Sequence, residues 1–232
     1  MVELTPARPA AVVFDADGVL VDTEPAWAAA RTALYAHHDQ QFGAAAKRET
    51  LGTGVAGTGQ LLSRLLRAPA RADQLADELL ALLVDQVSGG PVRALPGALE
   101  LIGELQGRLP LAVASNSPRA LLARTLEATG LAGRFDVVLG ADEVPRPKPA
   151  PDLYRTAVER LGAQPGASVA IEDSAPGVAA ARAAGLYVIG VHSRDGASLE
   201  ADQLASSLRD PALRARLGLS PRCDAVRSRT PG

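Results

Sequence analysis

Five short, largely apolar runs constrain this chain more than any other feature of its sequence: residues 11–14, 111–114, 136–139, 168–171 and 187–191. The first, Ala11-Val12-Val13-Phe14, is continuous, β-branched in its middle and stopped by Asp15. A run without polar alternation is the pattern of a strand buried on both faces, as in a parallel sheet. Helical patterns separate the later runs: residues 99–105 after Pro96-Gly97, 119–128 before Gly130, 151–161 up to Gly162, and 178–184 before Gly185. A glycine just past the last helical residue is a common stop signal. Alternation of this kind predicts an α/β fold with a doubly wound parallel, Rossmann-like sheet.

One region breaks the alternation. Residues 24–91 contain no strand pattern, and 25–35, 60–66 and 71–87 read as helices. The expected organisation is a catalytic core formed by residues 1–21 and 93–208, with an inserted α-helical cap over 22–92. Residues 209–232 would form a last helix, near 211–217, and a loose tail. The cap's exits, 21–24 and 88–91, would make a hinge if they lie close together. With 47% apolar residues, the 232-residue chain can bury a sizeable core. A net charge of -2 argues against a general affinity for nucleic acid, which needs a basic face. Cys223 is the only cysteine, so no intrachain disulfide is expected, which fits a reducing compartment. No stretch approaches a membrane span, and the apolar run at 10–14 is too short for a signal-peptide core. The expectation is a soluble, cytoplasmic protein without membrane partners, a monomer or small homo-oligomer.

Polar residues gather where the strands end. Asp15 and Asp17 follow the first run, Ser115 and Asn116 the second, Glu172 and Asp173 the fourth. Open parallel sheets bind ligands outside the carboxyl ends of their strands. The topology therefore brings at least four carboxylates within reach of one another, and they would repel unless joined by positive charge. Hard cations with oxygen ligands solve that problem, and Mg²⁺ is the usual choice beside phosphate. Lys148, in Arg146-Pro147-Lys148-Pro149, adds a second positive charge on a stiff loop. Ser117-Pro118 reads as an N-cap and first position of the next helix, whose N-terminus beside Ser115 suits an anion. Acids, cation, lysine, hydroxyl and helix end describe a phosphoryl-transfer site, where positioning and charge neutralisation do most of the chemistry. An Asp can also serve as nucleophile. Singly, each piece has a plainer explanation: a turn at Asp15 to Gly18, a helix cap at Glu172-Asp173, a solvated Lys148, turn formers at Ser115 and Asn116. Those explanations would all have to hold together.

These residues resemble the haloacid dehalogenase-like superfamily of hydrolases, in the right order and over residues 10–208. The matching segments are Phe14-Asp15-Ala16-Asp17-Gly18-Val19-Leu20-Val21-Asp22-Thr23-Glu24, Ala114-Ser115-Asn116-Ser117, Lys148-Pro149-Ala150-Pro151-Asp152 and Ile171-Glu172-Asp173-Ser174-Ala175-Pro176-Gly177-Val178. The resemblance implies that Asp15 attacks phosphorus and that Asp17 is the general acid and base. It implies Mg²⁺ held by Asp15, the Asp17 carbonyl and Asp173, with Glu172 nearby. Ser115, the Asn116 backbone and Lys148 would hold phosphoryl oxygens. The helical block would be a cap that closes over a small phosphorylated metabolite and excludes water. Pro147 stands where relatives often carry Gly. Asp17 and the Glu172-Asp173 pair set the chain apart from the metal-independent dehalogenases of the superfamily.

Within that resemblance the cap is similar to those of β-phosphoglucomutase and of sugar-phosphate phosphatases. Trp27 takes the place of the mutase's cap histidine, and Leu51-Gly52-Thr53-Gly54-Val55-Ala56 carries no basic residue to grip a second phosphate. The expectation is therefore a phosphatase acting on a sugar or polyol phosphate, with a phosphosugar mutase as the alternative. Trp27 is expected in the cap core or lining the substrate pocket, and Lys47 and Arg48 on a solvated helix face. A phospho-acceptor signalling domain would gather the same acids and lysine but would lack the helical insertion. Gly52 to Gly57 fits G-x-G-x-x-G without the preceding strand a dinucleotide site needs, and reads as a cap loop. An EF-hand at Asp15 fails because Gly18 comes too early. The adjacent His37 and His38 read as helix surface.

Overall fold

The computed structural model describes residues 8–50, 54–90, 92–191 and 199–220. Six parallel strands form the main sheet: β1 (Ala11–Phe14), β4 (Leu111–Ala114), β5 (Val137–Leu139), β6 (Ser168–Glu172), β7 (Tyr187–Val191) and β8 (Gln203–Ala205). Their order is β5-β4-β1-β6-β7-β8. The chain thus runs outward from β1 to β5, returns to β6 on the other side of β1, and runs outward again. That is the doubly wound order, and its crevice opens at the carboxyl ends of β1 and β6. Val13 pairs with Ala112 on one side and Ala170 on the other.

All four residues of β1 and of β4 are buried, because helices cover both faces of the sheet. Successive side chains divide between the faces. Val12, Phe14, Leu111, Val113, Val169 and Ile171 join one core with α5 (Ala98–Leu105), α6 (Arg119–Ala128) and α9 (Pro211–Arg216). Val13, Ala112, Ala114 and Ala170 join another with α7 (Asp152–Arg160) and α8 (Ala175–Ala183). The expected stop after α6 is present: Gly130 has φ +71, a conformation that costs a side chain-bearing residue about 1–2 kcal/mol.

Four α-helices lie between residues 22 and 93: α1 (Glu24–His37), α2 (Ala44–Thr50), α3 (Gly54–Leu65) and α4 (Ala72–Gly89). They share a core built on Leu34, Tyr35, Leu62, Leu75, Leu79 and Leu83, which also takes in Leu121 of α6. The chain enters and leaves this block through an antiparallel pair, β2 (Val21–Asp22) with β3 (Arg93–Ala94). Gly54 to Gly57 form the first turn of α3, which corrects the expectation of a loop there. Low helix propensity is overridden by packing: a Cβ on nearby Gly59 would stand 2.5 Å from the Ala72 carbonyl oxygen, so the small residues let α3 and α4 cross closely. Residues 51–53 of that glycine-rich segment, and the tail expected from 220 onward except Ser220, lie outside the described residues. His37 Nδ1 and His38 Nε2 each stand 2.9 Å from an oxygen of Glu78 and tie α1 to α4. Among the described residues, no helix is long and apolar enough to cross a membrane.

Candidate active site

The polar residues expected at the strand ends meet at one place. Asp15 follows β1, and Glu172 ends β6, which pairs with β1. Lys148, on the loop between β5 and α7, enters between them. Its ammonium donates to Asp15 Oδ1 and Glu172 Oε1, each at 2.6 Å. Its side chain is 4% exposed, so it is not a solvated loop lysine. One carboxylate oxygen from each of Asp15, Glu172 and Asp173 lies within 4.8 Å of the others.

The carboxylates outnumber the ammonium. Burial pushes the Asp15 carboxyl well above its usual range, and the charges of Glu172, Asp173 and Asp17 push the same way against the pull of Lys148. Burial opposes the charge on Lys148, but the attraction of Asp15 and Glu172 outweighs it and raises the ammonium above the ordinary lysine range. Burial leads at Asp15 with the neighbouring acids adding to it, whereas at Lys148 the two acids set the direction. This donor set of three hard oxygen acids fits a divalent cation. Glycines let the backbone approach these acids closely: a Cβ on Gly18, whose φ is +95, would overlap the Asp173 carboxylate. A Cβ on Gly177 would likewise overlap the carboxylate of Glu172.

Asp17 stands apart from this cluster, in a cradle of hydroxyls. Thr23 Oγ1 donates to its Oδ1 at 2.5 Å, and Ser117 and Ser115 donate to its Oδ2 at 3.0 and 3.3 Å. Ser117 is therefore not the cap of α6. The helix spans the expected residues 119–128, but Pro118 stands at the cap position, and Asp142 accepts from the Arg119 N–H at 2.8 Å. Ser115 Oγ in turn accepts from the Ser117 N–H at 3.0 Å.

Asn116 has a role the sequence did not reveal. Its side-chain oxygen accepts from the Lys148 N–H at 2.9 Å and its amide donates to the Lys148 carbonyl at 3.1 Å. The lysine loop is thereby clamped to the end of β4 across 32 residues of sequence. Tyr154, on the first turn of α7, carries no local sequence signal of its part in the site. Its hydroxyl donates to Glu172 Oε1 at 2.6 Å, and Lys148 Nζ lies 5.0 Å from the centre of its ring. The other Glu172 oxygen accepts from the N–H groups of Asp173 and Ser174 and from Ser174 Oγ. Glu172 is thus a fixed buried charge as well as a strand end. Ser174 caps α8 by accepting from Gly177 N–H.

Trp27 is half-buried on α1, packed against the core of the helical block with the Arg31 guanidinium 4.6 Å from its ring centre. Lys47 is exposed on α2, 3.8 Å from Glu24, as a solvated helix face requires.

The comparisons with known proteins agree with this fold. The fructose-1-phosphate phosphatase YqaB of Escherichia coli (strain K12) is 32% identical over 188 residues, covering 79% of this chain and 97% of that protein. The crystal structure of CbbY from Rhodobacter sphaeroides in complex with phosphate superposes with a TM-score of 0.76 at 30% identity, covering 86% of this chain and 95% of that one. A family hydrolase from Deinococcus radiodurans R1, with bound phosphate and sodium, gives a TM-score of 0.72 at 29% identity over 94% of this chain and all of that one. The model of the haloacid dehalogenase-like hydrolases matches residues 9–185, and the chain belongs to that family.

Proposed function

We propose that this chain is a Mg²⁺-dependent phosphatase of small phosphomonoesters, working through an aspartyl-phosphate on Asp15. The observation that carries the reading is the separation of two acids two residues apart. Asp15 is set against Lys148 in the buried carboxylate cluster, while Asp17 faces three hydroxyls. In this reading one acid takes the phosphoryl group and the other carries the proton.

The Asp15 carboxylate attacks phosphorus in line with the departing alcohol, and the P–O bond to that alcohol breaks. Asp17 gives the leaving oxygen its proton. Asp17 then takes a proton from the water that attacks the aspartyl-phosphate, which releases inorganic phosphate and restores Asp15. Lys148 and the Ser115 hydroxyl neutralise and orient the phosphoryl oxygens. Asp15, Asp173 and the Asp17 backbone carbonyl would hold Mg²⁺, with Glu172 behind them as a fixed charge. When bound, Mg²⁺ supplies the positive charge that the acids and the phosphoryl group require.

The block α1–α4 acts as a cap over the site, hinged at β2–β3, and Trp27 is the candidate side chain for meeting substrate. A sugar or polyol phosphate is the favoured class, supported by the relative named as a fructose-1-phosphate phosphatase. A phosphomutase is less well supported, since Gly54, Val55 and Ala56 bring no cation for a second phosphate. A single cysteine fits a cytoplasmic setting. The test is phosphate release from a panel of phosphorylated metabolites with Mg²⁺ and with chelator, β-glucose 1-phosphate included. Metal-dependent multiple turnover supports the reading. Isomerisation of β-glucose 1-phosphate without phosphate release would instead make the chain a mutase, and a single turnover would make it a phospho-acceptor.

A further inference from the structure

We propose that Tyr154 is a positioning residue for Lys148, acting through Glu172; the consequence drawn for substrate binding rests on the phosphatase reading above. Tyr154 is fully buried among Leu153, Ala157 and the sheet residues of its core, where a phenylalanine would fill the same space. A phenol in such a place needs a hydrogen-bond partner. Its partner is the oxygen that also holds the lysine: Tyr154 OH and Lys148 Nζ both donate to Glu172 Oε1 at 2.6 Å.

The carboxylate cannot turn to compensate for a missing donor. Its Oε2 is tied to the turn between β6 and α8 by the N–H groups of Asp173 and Ser174, at 3.1 and 3.3 Å, and by Ser174 Oγ at 3.0 Å. Oε1 therefore points at a fixed place, and Tyr154 satisfies part of its charge. The lysine is left shared between Glu172 and Asp15, with the tyrosine ring along its flank. Without the hydroxyl, Oε1 keeps a full demand that the ammonium alone must meet. The ammonium is then drawn toward Glu172 and away from Asp15, where a phosphoryl group would sit. The main consequence is weaker binding of phosphate rather than a slower chemical step.

The experiment compares the full chain with Tyr154→Phe and with 3-fluorotyrosine placed at 154, all with Mg²⁺. Four quantities are read: the Kd of inorganic phosphate by calorimetry, KM and kcat for p-nitrophenyl phosphate, and the thermal midpoint. Tyr154→Phe should raise the phosphate Kd and KM together by about tenfold while kcat stays within about threefold. The fluorotyrosine chain, with the better donor, should bind phosphate at least as tightly as the parent. The proposal is overturned if Tyr154→Phe binds phosphate like the parent. It is equally overturned if kcat and the thermal midpoint fall with the phosphate Kd and KM unchanged, the mark of a packing role alone. Should Tyr154→Phe fail to fold, weaker phosphate binding by the fluorotyrosine chain overturns it. Phosphate binding is read without turnover. A parent that binds phosphate and hydrolyses nothing therefore sinks the phosphatase reading while Tyr154 is still judged by its own Kd.

Discussion

Lys148 Nζ stands 2.6 Å from Asp15 Oδ1, with both side chains buried, and the same ammonium holds Glu172 at the same distance. One cation therefore serves two acids in a site that contains more. Removing one partner of a buried ion pair costs about 3–5 kcal/mol, because the other charge is left without compensation. Lys148→Met should lower the urea midpoint of the metal-free chain, and Mg²⁺ should restore more stability to this variant than to the parent. Hydrolysis should fall by at least about a hundredfold, in line with the loss of an oriented charge at the phosphoryl oxygens. An unchanged midpoint without metal would mean that the pair carries no structural weight.

Metal binding should be linked to pH through Asp15. Burial, with the neighbouring acids, raises the Asp15 carboxyl well above its usual range, so the folded metal-free chain binds more protons than the unfolded chain just above that range. For this group, stability without metal then falls as pH rises from the ordinary carboxylate range toward the raised value. Mg²⁺ requires the ionised form, so binding releases a proton and affinity rises with pH across the same window. Calorimetry in buffers of different ionisation heat measures the release. Asp15→Asn should release none at this site, and equal release from both chains would contradict the assignment.

Gly18 makes room for Asp173. Its φ of +95 disfavours any side chain, and a Cβ would overlap the Asp173 carboxylate. Backbone strain of this kind costs about 1–3 kcal/mol, and here the displaced group is an acid of the cluster. Gly18→Ala should weaken Mg²⁺ binding by more than about tenfold, measured by calorimetry, with turnover falling in parallel. Parent-like affinity for Mg²⁺ would show that Asp173 is not a ligand or is not held by this contact.

Asp17 depends on Thr23, the residue that joins its turn to α1. The Thr23 hydroxyl is the shortest of the three bonds to Asp17, at 2.5 Å. Thr23→Val keeps the shape and removes the donor. A hydrogen bond to a charged group contributes about 1.5–3 kcal/mol, so kcat should fall roughly tenfold or more with KM little changed. A change confined to KM would place Thr23 with substrate binding instead of with Asp17.

Much of the site was legible in the sequence because its residues sit where strands end. Asp15, Ser115 and Glu172 each interrupt or close an apolar run, and parallel pairing of those runs brings their ends together. Lys148 was legible as a cation between prolines. What escaped were contacts that depend on register across long separations. Nothing local to Asn116 says that its amide will clamp Lys148, and nothing in α7 distinguishes a tyrosine that fills space from one that holds Glu172. Ser117 read as a cap because Ser-Pro is a common helix start, but Asp17 took its hydroxyl. The sheet had the same limits. Strand β8 is three residues long with Leu204 61% exposed, so it lacks the buried pattern of its neighbours. The β2–β3 pair is two residues a side and exists only because both connections to the helical block meet there.

The central claim is that the phosphoryl group passes through Asp15, and trapping it there is the most direct test. The enzyme is mixed with a hydrolysed substrate and Mg²⁺, quenched in the steady state and reduced with borohydride, which converts an aspartyl-phosphate to homoserine. Peptide mass spectrometry should then find homoserine at position 15 in the parent, and none in Asp17→Asn before substrate is added. Sustained hydrolysis with no trapped product at Asp15, together with full activity in Asp15→Asn, would contradict the account.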